Sequence, residues 1–248
     1  MDAEEQGLRE AVSGELQDLV LDSADVEEFL HDLAEYAANE LSRPGRPVIC
    51  GVTVMRRRKP AALAASNPAA YAMDEIQNQT GDGPCLTAMR ELRTIYVRDL
   101  FREDRWPELA SAAARRDYLS ILGVPVELED AQTRAALNLY ASPPSAFTVD
   151  DITRAENFAA QASKSLRLAL RIGRLREARD DLAAAMESRA VIDMAVGILM
   201  GQNRCDPQEA IALLKSASNT RNIKLREVAS SVVASVAGHG EVKAHFNE

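Results

Sequence analysis

The sequence predicts an α+β N-terminal part, one long connecting helix and an all-α C-terminal part. Three observations carry this. Up to about residue 150, short β-branched runs alternate with amphipathic helical stretches, and neighbouring runs read as hairpins of an antiparallel sheet flanked by helices. Asp151 to about Gln202 reads as one nearly unbroken helix, and Leu168, Leu175 and Leu182 recur every seven residues. From Ser188 to Val236, three short helical patterns follow one another with two breaks between them.

Taken in order, Leu8, Val12, Leu16, Leu19 and Val20 give a first amphipathic helix, and Val26, Phe29, Leu30, Leu33, Ala34 and Ala37 a second. The first has little to cover it locally. It is expected in a bundle with the later long helix, within the chain or across a dimer. Pro44-Gly45-Arg46-Pro47 is a turn, and Val48 to Met55 reads as a buried strand. Arg56-Arg57-Arg58-Lys59-Pro60 is a basic hairpin tip with its return strand over Ala61 to Ala65. Ser66-Asn67-Pro68 starts a helix to about Gln79 with Ala70, Met73, Ile76 and Gln77 inward.

Gly81 and Gly83 mark a turn before a helix over Leu86 to Leu92; they lack the spacing of a phosphate loop. Thr94 to Val97 is a strand, and Trp106-Pro107 begins a helix toward Arg116. Tyr118 to Leu128 is strand-like, with Gly123 and Pro125 predicting a bulge or an edge. Arg134 to Ala141 is the next strand, and a capped helix is expected at Asp150 or Asp151. On the connecting helix, Ile172 and Met186 sit four after Leu168 and Leu182, so a short coiled-coil seam is expected, weakened by Arg179. Gly173 is its soft point, costing up to about 1 kcal/mol against alanine.

The last helices have clear signals. Val191, Ile192, Ala195, Ile198 and Leu199 share one face. Asp206-Pro207-Gln208-Glu209 combines a cap, a first-turn proline and an acid three residues after the cap. Ala210, Leu213, Leu214 and Ala217 form the next inward face, then Leu225, Val228, Ala229, Val232, Val233 and Val236, with Gly238 as the closing cap.

Charge divides the chain. The net charge is −9, yet residues 1–40 hold thirteen acids and one base, so the remainder sums to +3. Lys215, Arg221, Lys224 and Arg226 lie in a stretch without an acid, which suggests a polyanionic partner against the alternative of a solvated basic loop. Ser188 to Val236 contains no Phe, Tyr, Trp or His, so base stacking is not open to it; phosphate, loop-base and shape contacts remain. Three separated cysteines (Cys50, Cys85, Cys205) fit free thiols, and only three histidines (His31, His239, His245) argue against a zinc site. An acidic N-terminus without a signal-peptide pattern, and no apolar run of membrane-spanning length, point to the cytoplasm.

SRAVIDMAVGILM, the DPQEAIALL helix and the NIKLREVASSVV helix together resemble an ANTAR domain, an RNA-binding antitermination module of bacterial regulators. One departure is Ala195-Val196-Gly197, where the family often has Ala-Lys-Gly. MDEIQNQTGDGPCLTAMR, DRWPELASAAA and GVPVELEDAQTRAALNLYASPPSAFTVDDI resemble a GAF domain of the kind fused to ANTAR modules in actinobacterial regulators. The expected organisation is an acidic helix over 1–25, a GAF sensor over 26–172, an ANTAR domain over 173–236 that includes the connecting helix 173–187, and a flexible tail over 237–248.

The resemblance implies paired short-loop RNA hairpins as the target, a homodimer with one module per hairpin, and control of transcription termination. The expected RNA contacts are Ser188, Arg189, Lys215, Ser218, Arg221, Asn222, Lys224 and Arg226, with Ala195 and Gly197 allowing a close approach. For Arg189 the alternative is a brace of the bundle, and for Arg226 a pair with Glu209 or Glu227. The GAF resemblance is open to a small-molecule ligand or to none, and the cofactor is unknown; a tetrapyrrole would need an anchoring cysteine, for which Cys85 is available, or an axial histidine, for which the domain has only His31. No catalytic constellation is present, so the chain is expected not to be an enzyme. The rivals are a redox sensor using Cys85 or Cys205, a sensor acting through protein partners, and a DNA-binding helical bundle.

Overall fold

The computed structural model describes residues 3–56, 59–113, 117–129 and 132–237. Arg57, Arg58, residues 114–116 and the tail with Gly238, His239 and His245 lie outside the described residues. The chain divides into two compact units, Met1–Gly173 and Arg174–Glu248.

In the first unit, α1 (Ala3–Asp22) and α2 (Val26–Leu41) precede the hairpin β1 (Ile49–Arg56) and β2 (Lys59–Ala65). Helices α3 (Pro68–Thr80) and α4 (Pro84–Glu91) follow, then β3 (Ile95–Val97), a 3-10 turn at Leu100–Arg102, and α5 (Pro107–Ala113). Strands β4 (Ser120–Val126) and β5 (Thr133–Ala141) complete an antiparallel sheet of order β2-β1-β5-β4-β3. A single helix, α6 (Val149–Asn203), runs onward.

Local chemistry explains the helix starts. Asp25 accepts from the amides of Glu27 and Glu28, and Asn67 from that of Ala70, one turn into helices whose first donors would otherwise be unpaired. At α6 the cap is Thr148, two positions before the first of the acids expected there. Its hydroxyl accepts from Asp151 N at 3.2 Å, while Asp151 Oδ2 accepts from Thr148 N at 3.0 Å. Arg43 Nε donates to Asp151 Oδ1 at 3.0 Å, which ties the turn after α2 to this start. Burial works to raise the Asp151 pKa, but the Thr148 and Arg43 hydrogen bonds outweigh it and hold it low.

Both faces of the sheet are covered. Cys50, Val52 and Val54 of β1 and Leu137 and Leu139 of β5 meet α2 and the first half of α6, where Ala155, Phe158, Ala162 and Leu166 are buried. Val12, Leu16 and Val20 of α1 join that core within the same chain, which supplies the cover the first helix lacked locally. On the opposite face, Ile121 and Tyr140 meet Met73, Trp106 and Leu109, and Ala136 meets Cys85, Leu86 and Met89.

Of the two alternatives at Gly123 and Pro125 the edge is found and the bulge is not, and the connecting helix is continuous as expected. The register of β4 with β5 is continuous through Gly123 and Pro125, so there is no bulge there; the irregularity lies between Val54 and Met55 in the β1–β2 pair. Pro125 stands beyond the last residue paired to β3, at an open edge where a missing N–H costs nothing, and Gly123 faces Pro84 O, 3.1 Å from where a Cβ would sit. Helix α6 runs unbroken through Gly173, whose Cβ would fall 2.5 Å from Val26 Cγ2; the residue permits a close helix contact.

A Cβ on Gly51 would lie 1.8 Å from Asp74 Oδ2 of α3. Gly51→Ala is therefore expected to destabilise the first unit by about 2 kcal/mol or more, read as a lower urea midpoint in far-ultraviolet circular dichroism; an unchanged midpoint would contradict this contact.

Candidate functional site

The second unit contains the end of α6, then α7 (Pro207–Arg221) and α8 (Leu225–Ala237). Asp206 Oδ1 accepts from Glu209 N at 2.8 Å and Glu209 Oε2 accepts from Asp206 N at 3.1 Å, so both side chains satisfy the first amides of α7. The core is Ala195, Val196, Ala210, Leu214, Val228, Ala229 and Val233. Leu213 and Val236, expected inward, are 49% and 56% exposed; the inward stripes of α7 and α8 are narrower than their apolar residues.

The corner between α7 and α8 is fixed by its own residues. Asn222 ends α7 in the left-handed region at φ 51°, which asparagine tolerates better than most residues. Ser218 Oγ donates to Ile223 O at 2.6 Å, and Ile223 N donates to Ser218 O at 3.2 Å. Lys224 O then accepts from the amides of Glu227 and Val228, starting α8. Ser218 and Asn222, both expected as contacts, thus shape the turn that presents the cations. Lys215, Ser218 and Asn222 recur at helical spacing along one side of α7. Lys215, Arg221 and Lys224 are exposed.

The α6 residues form a second group. Ser188 is half-buried, and Arg189 is exposed, with Nε 3.8 Å from Asp193 Oδ2. Arg189 therefore does not brace the bundle. Arg226 Nη2 donates to Glu187 Oε2 at 3.0 Å, rather than pairing with Glu209 or Glu227. This bond brings the start of α8 beside Ser188 and Arg189, so the two groups meet through Arg226. It also places one acid next to a run that has none in sequence. Both partners are about half exposed, so the pair is worth roughly 1 kcal/mol at most. Ala195 is buried in the bundle, whereas a Cβ on Gly197 would meet open space.

The first unit encloses a polar cluster that sequence spacing did not single out. Asp74 and Gln77 of α3 are buried against Asn138 and Tyr140 of β5. Asn138 Nδ2 donates to Asp74 Oδ1 at 2.9 Å, and Tyr140 OH donates to the same oxygen. Gln77 Nε2 donates to Tyr140 OH at 2.8 Å, and Gln77 Oε1 accepts from Cys85 N at 2.9 Å, so α4 hangs on the same chain of bonds. Burial pushes Asp74 up to about 7 against the pull of the Tyr140 and Asn138 bonds. Burial, then Asp74, pushes the Cys85 thiol up to about 12, which opposes the low-pKa thiolate expected of a redox sensor. His31 belongs to α2 on the other face of the sheet, where Nδ1 lies 3.1 Å from Ala65 O, so Cys85 and His31 do not converge. The signal for Asp74 was its place at helical spacing with Ala70, Met73 and Gln77.

Among the described residues no group of three or more His, Cys, Asp or Glu is arranged to hold a metal ion, and no helix is long and apolar enough to cross a membrane.

Removing the α7 cap tests how far the cationic corner depends on it. Asp206→Ala is expected to cost about 1 kcal/mol and to speed amide exchange over 207–221; unaltered exchange would show that the cap is dispensable.

The GAF domain family matches residues 23–167, more than half of the chain, and the ANTAR domain family matches residues 180–233. No curated protein matches the chain. Among solved structures, the N-acylhomoserine lactone dependent LuxR family transcription factor CepR2 from Burkholderia cenocepacia is similar in fold. It superposes with a TM-score of 0.50 at 15% identity, over 67% of this chain and 98% of that one. Free methionine-R-sulfoxide reductase from Neisseria meningitidis superposes at 0.48 and 15% identity, over 69% and 96%. The GAF domain of an Acinetobacter phosphoenolpyruvate-protein phosphotransferase does so at 0.46 and 15%, over 67% and 98%.

Proposed function

Because the chain belongs to the GAF domain family and carries an ANTAR domain, we propose that it is a cytoplasmic, signal-responsive regulator that binds RNA. In this reading its targets are paired short-loop hairpins, and binding decides whether a transcription terminator forms. The observation that carries it is the cationic corner. Lys215, Arg221 and Lys224 stand exposed around a turn fixed by Ser218 and Asn222, inside the segment that matches the ANTAR family. A rigid corner suits a folded hairpin, since it loses little freedom when the ligand docks. Affinity rests on phosphate contacts and falls steeply with salt.

The GAF part acts as the sensor, and α6 carries the signal as a twist or shift. The protein acts by binding and not by catalysis; its Cys85 thiol, protonated at neutral pH, is a poor nucleophile. A second copy completes the unit. Leu168, Leu175, Leu182 and Met186 are 46%, 64%, 61% and 50% exposed at heptad-related positions of α6, an apolar seam suited to the same seam of a partner.

Two experiments test this. The purified protein is titrated with a two-hairpin RNA, with a scrambled-loop control and with duplex DNA of equal charge. The two-hairpin RNA is expected to bind selectively. Lys215→Ala, Arg221→Ala and Lys224→Ala together should lower the slope of log affinity against log salt by about 2 to 3. Equal weak binding to all three ligands, unaltered by the substitutions, would overturn the RNA reading. For the dimer, sedimentation is expected to show two copies for the wild type and one for Leu175→Glu with Leu182→Glu. A wild type that sediments as a monomer at micromolar concentration would remove the seam from the mechanism.

A further inference from the structure

Helix α3 turns Ala70, Met73, Asp74 and Gln77 toward the sheet, and all four are buried. An acid on such a stripe must be neutral or paired. The carboxyl is served from one side only. Its two donors, Tyr140 OH and Asn138 Nδ2, converge on Oδ1, while Oδ2 has no hydrogen-bond partner and lies against Gly51. Thr53 Oγ1 and Asn138 Oδ1, on the same sheet face, are likewise unpartnered. Gly51 pairs with Asn138 across the β1–β5 ladder, and Thr53 is two residues on, so these orphan groups belong to one patch.

We propose that Asp74 is a proton sensor built into the first unit: protonated, it holds α3 and α4 on the sheet, and ionised, it releases them. The titratable groups that face it are Tyr140 of β5 and Cys85 of α4, and Cys50 of β1 feels its charge from the other face of the sheet. All three are acids, so none offers a compensating positive charge. The remaining neighbours of α3, α5 and β2, contribute Leu109 and Ala65 to the core beside it. No ion pair reaches Asp74 among the described residues. A negative charge on Oδ2 would have no counter-ion, and the inexpensive remedy is water. Water enters when α3 lifts.

Release spreads along bonds already described. Tyr140 OH joins Asp74 to Gln77, and Gln77 holds the first turn of α4 through Cys85 N. The linkage sign follows from the raised carboxyl. Stabilisation by the neutral form is complete below the ordinary carboxylate range and is lost as pH rises through about 7. This inference specifies the signal read by the sensor proposed above. Its test reads the first unit alone, so it succeeds or fails independently of RNA binding.

The test uses the full chain. Amide exchange over residues 68–91, corrected for intrinsic rates, is followed between about pH 5 and about pH 9, alongside the infrared band of a protonated carboxyl. In the wild type, protection is expected to fall by about tenfold or more across this range, together with loss of the infrared band. Asp74→Asn should remove that band and flatten the pH dependence. Wild-type protection that does not vary with pH would overturn the proposal, as would an Asp74 already ionised at the acid end or an equal pH dependence in Asp74→Asn. The infrared titration needs only the wild-type protein, so it decides the matter if the variant fails to fold.

Discussion

The first unit depends on one constraint: both faces of the central β1–β5 pair are covered by helices. Side chains alternate across a strand, so the central residues of β1 and β5 must each suit one of two cores. Cys50, Val52, Leu137 and Leu139 satisfy the α2 and α6 side by being apolar. The α3 and α4 side is different, because Thr53, Asn138 and Tyr140 bring hydrogen-bonding groups into it. Buried polar groups without partners are costly, and helix α3 answers with Asp74 and Gln77. Gly51 then has to be bare of a side chain so that the carboxyl can reach the sheet.

The second unit uses its polar residues the opposite way. Ser218, Asp206 and Glu209 spend side-chain hydrogen bonds on backbone at the ends of α7, and Asn222 closes it through its left-handed backbone. Lys215, Arg221 and Lys224 are left in solvent, and no ion pair engages them among the described residues. Rigidity comes from short-range bonds and leaves the charges uncommitted. The exceptions are Arg189 and Arg226, which reach Asp193 and Glu187 at the surface, Arg189 staying largely exposed and Arg226 about half exposed. In the first unit polarity is enclosed and conditional on protonation; in the second it is presented.

What the sequence made legible was local. Asn67-Pro68 and Asp206-Pro207 with Glu209 announced their helices because capping operates within four residues. The basic residues of the α7–α8 corner were equally plain. Non-local consequences were hidden. Asp74 reads as a solvent-facing acid unless its stripe is tested against Ala70, Met73 and Gln77, and nothing in the chain announces that β5 supplies its donors. Glu187 lies far from Arg226 in sequence, so the charge balance of the basic corner could not be read from its own segment. Gly123 and Pro125 left a bulge and an edge equally open, because sequence does not show that the pairing with β3 stops at Gly123. Leu213 and Val236 counted as core by periodicity, but a small three-helix core has room for fewer side chains than three apolar faces offer.

The buried thiols have a practical corollary. Cys50 and Cys85 are enclosed and resist deprotonation, whereas Cys205, half-buried between α6 and α7, is the accessible sulfur among the chain's three. A maleimide dye would therefore mark the second unit without any cysteine being replaced. The chain's one tryptophan, Trp106, is buried in the first unit with the Arg105 guanidinium 4.3 Å from its ring centre. The unaltered protein thus carries one optical reporter in each half, an intrinsic one and an attachable one, so the unfolding of either can be watched while the other stays silent.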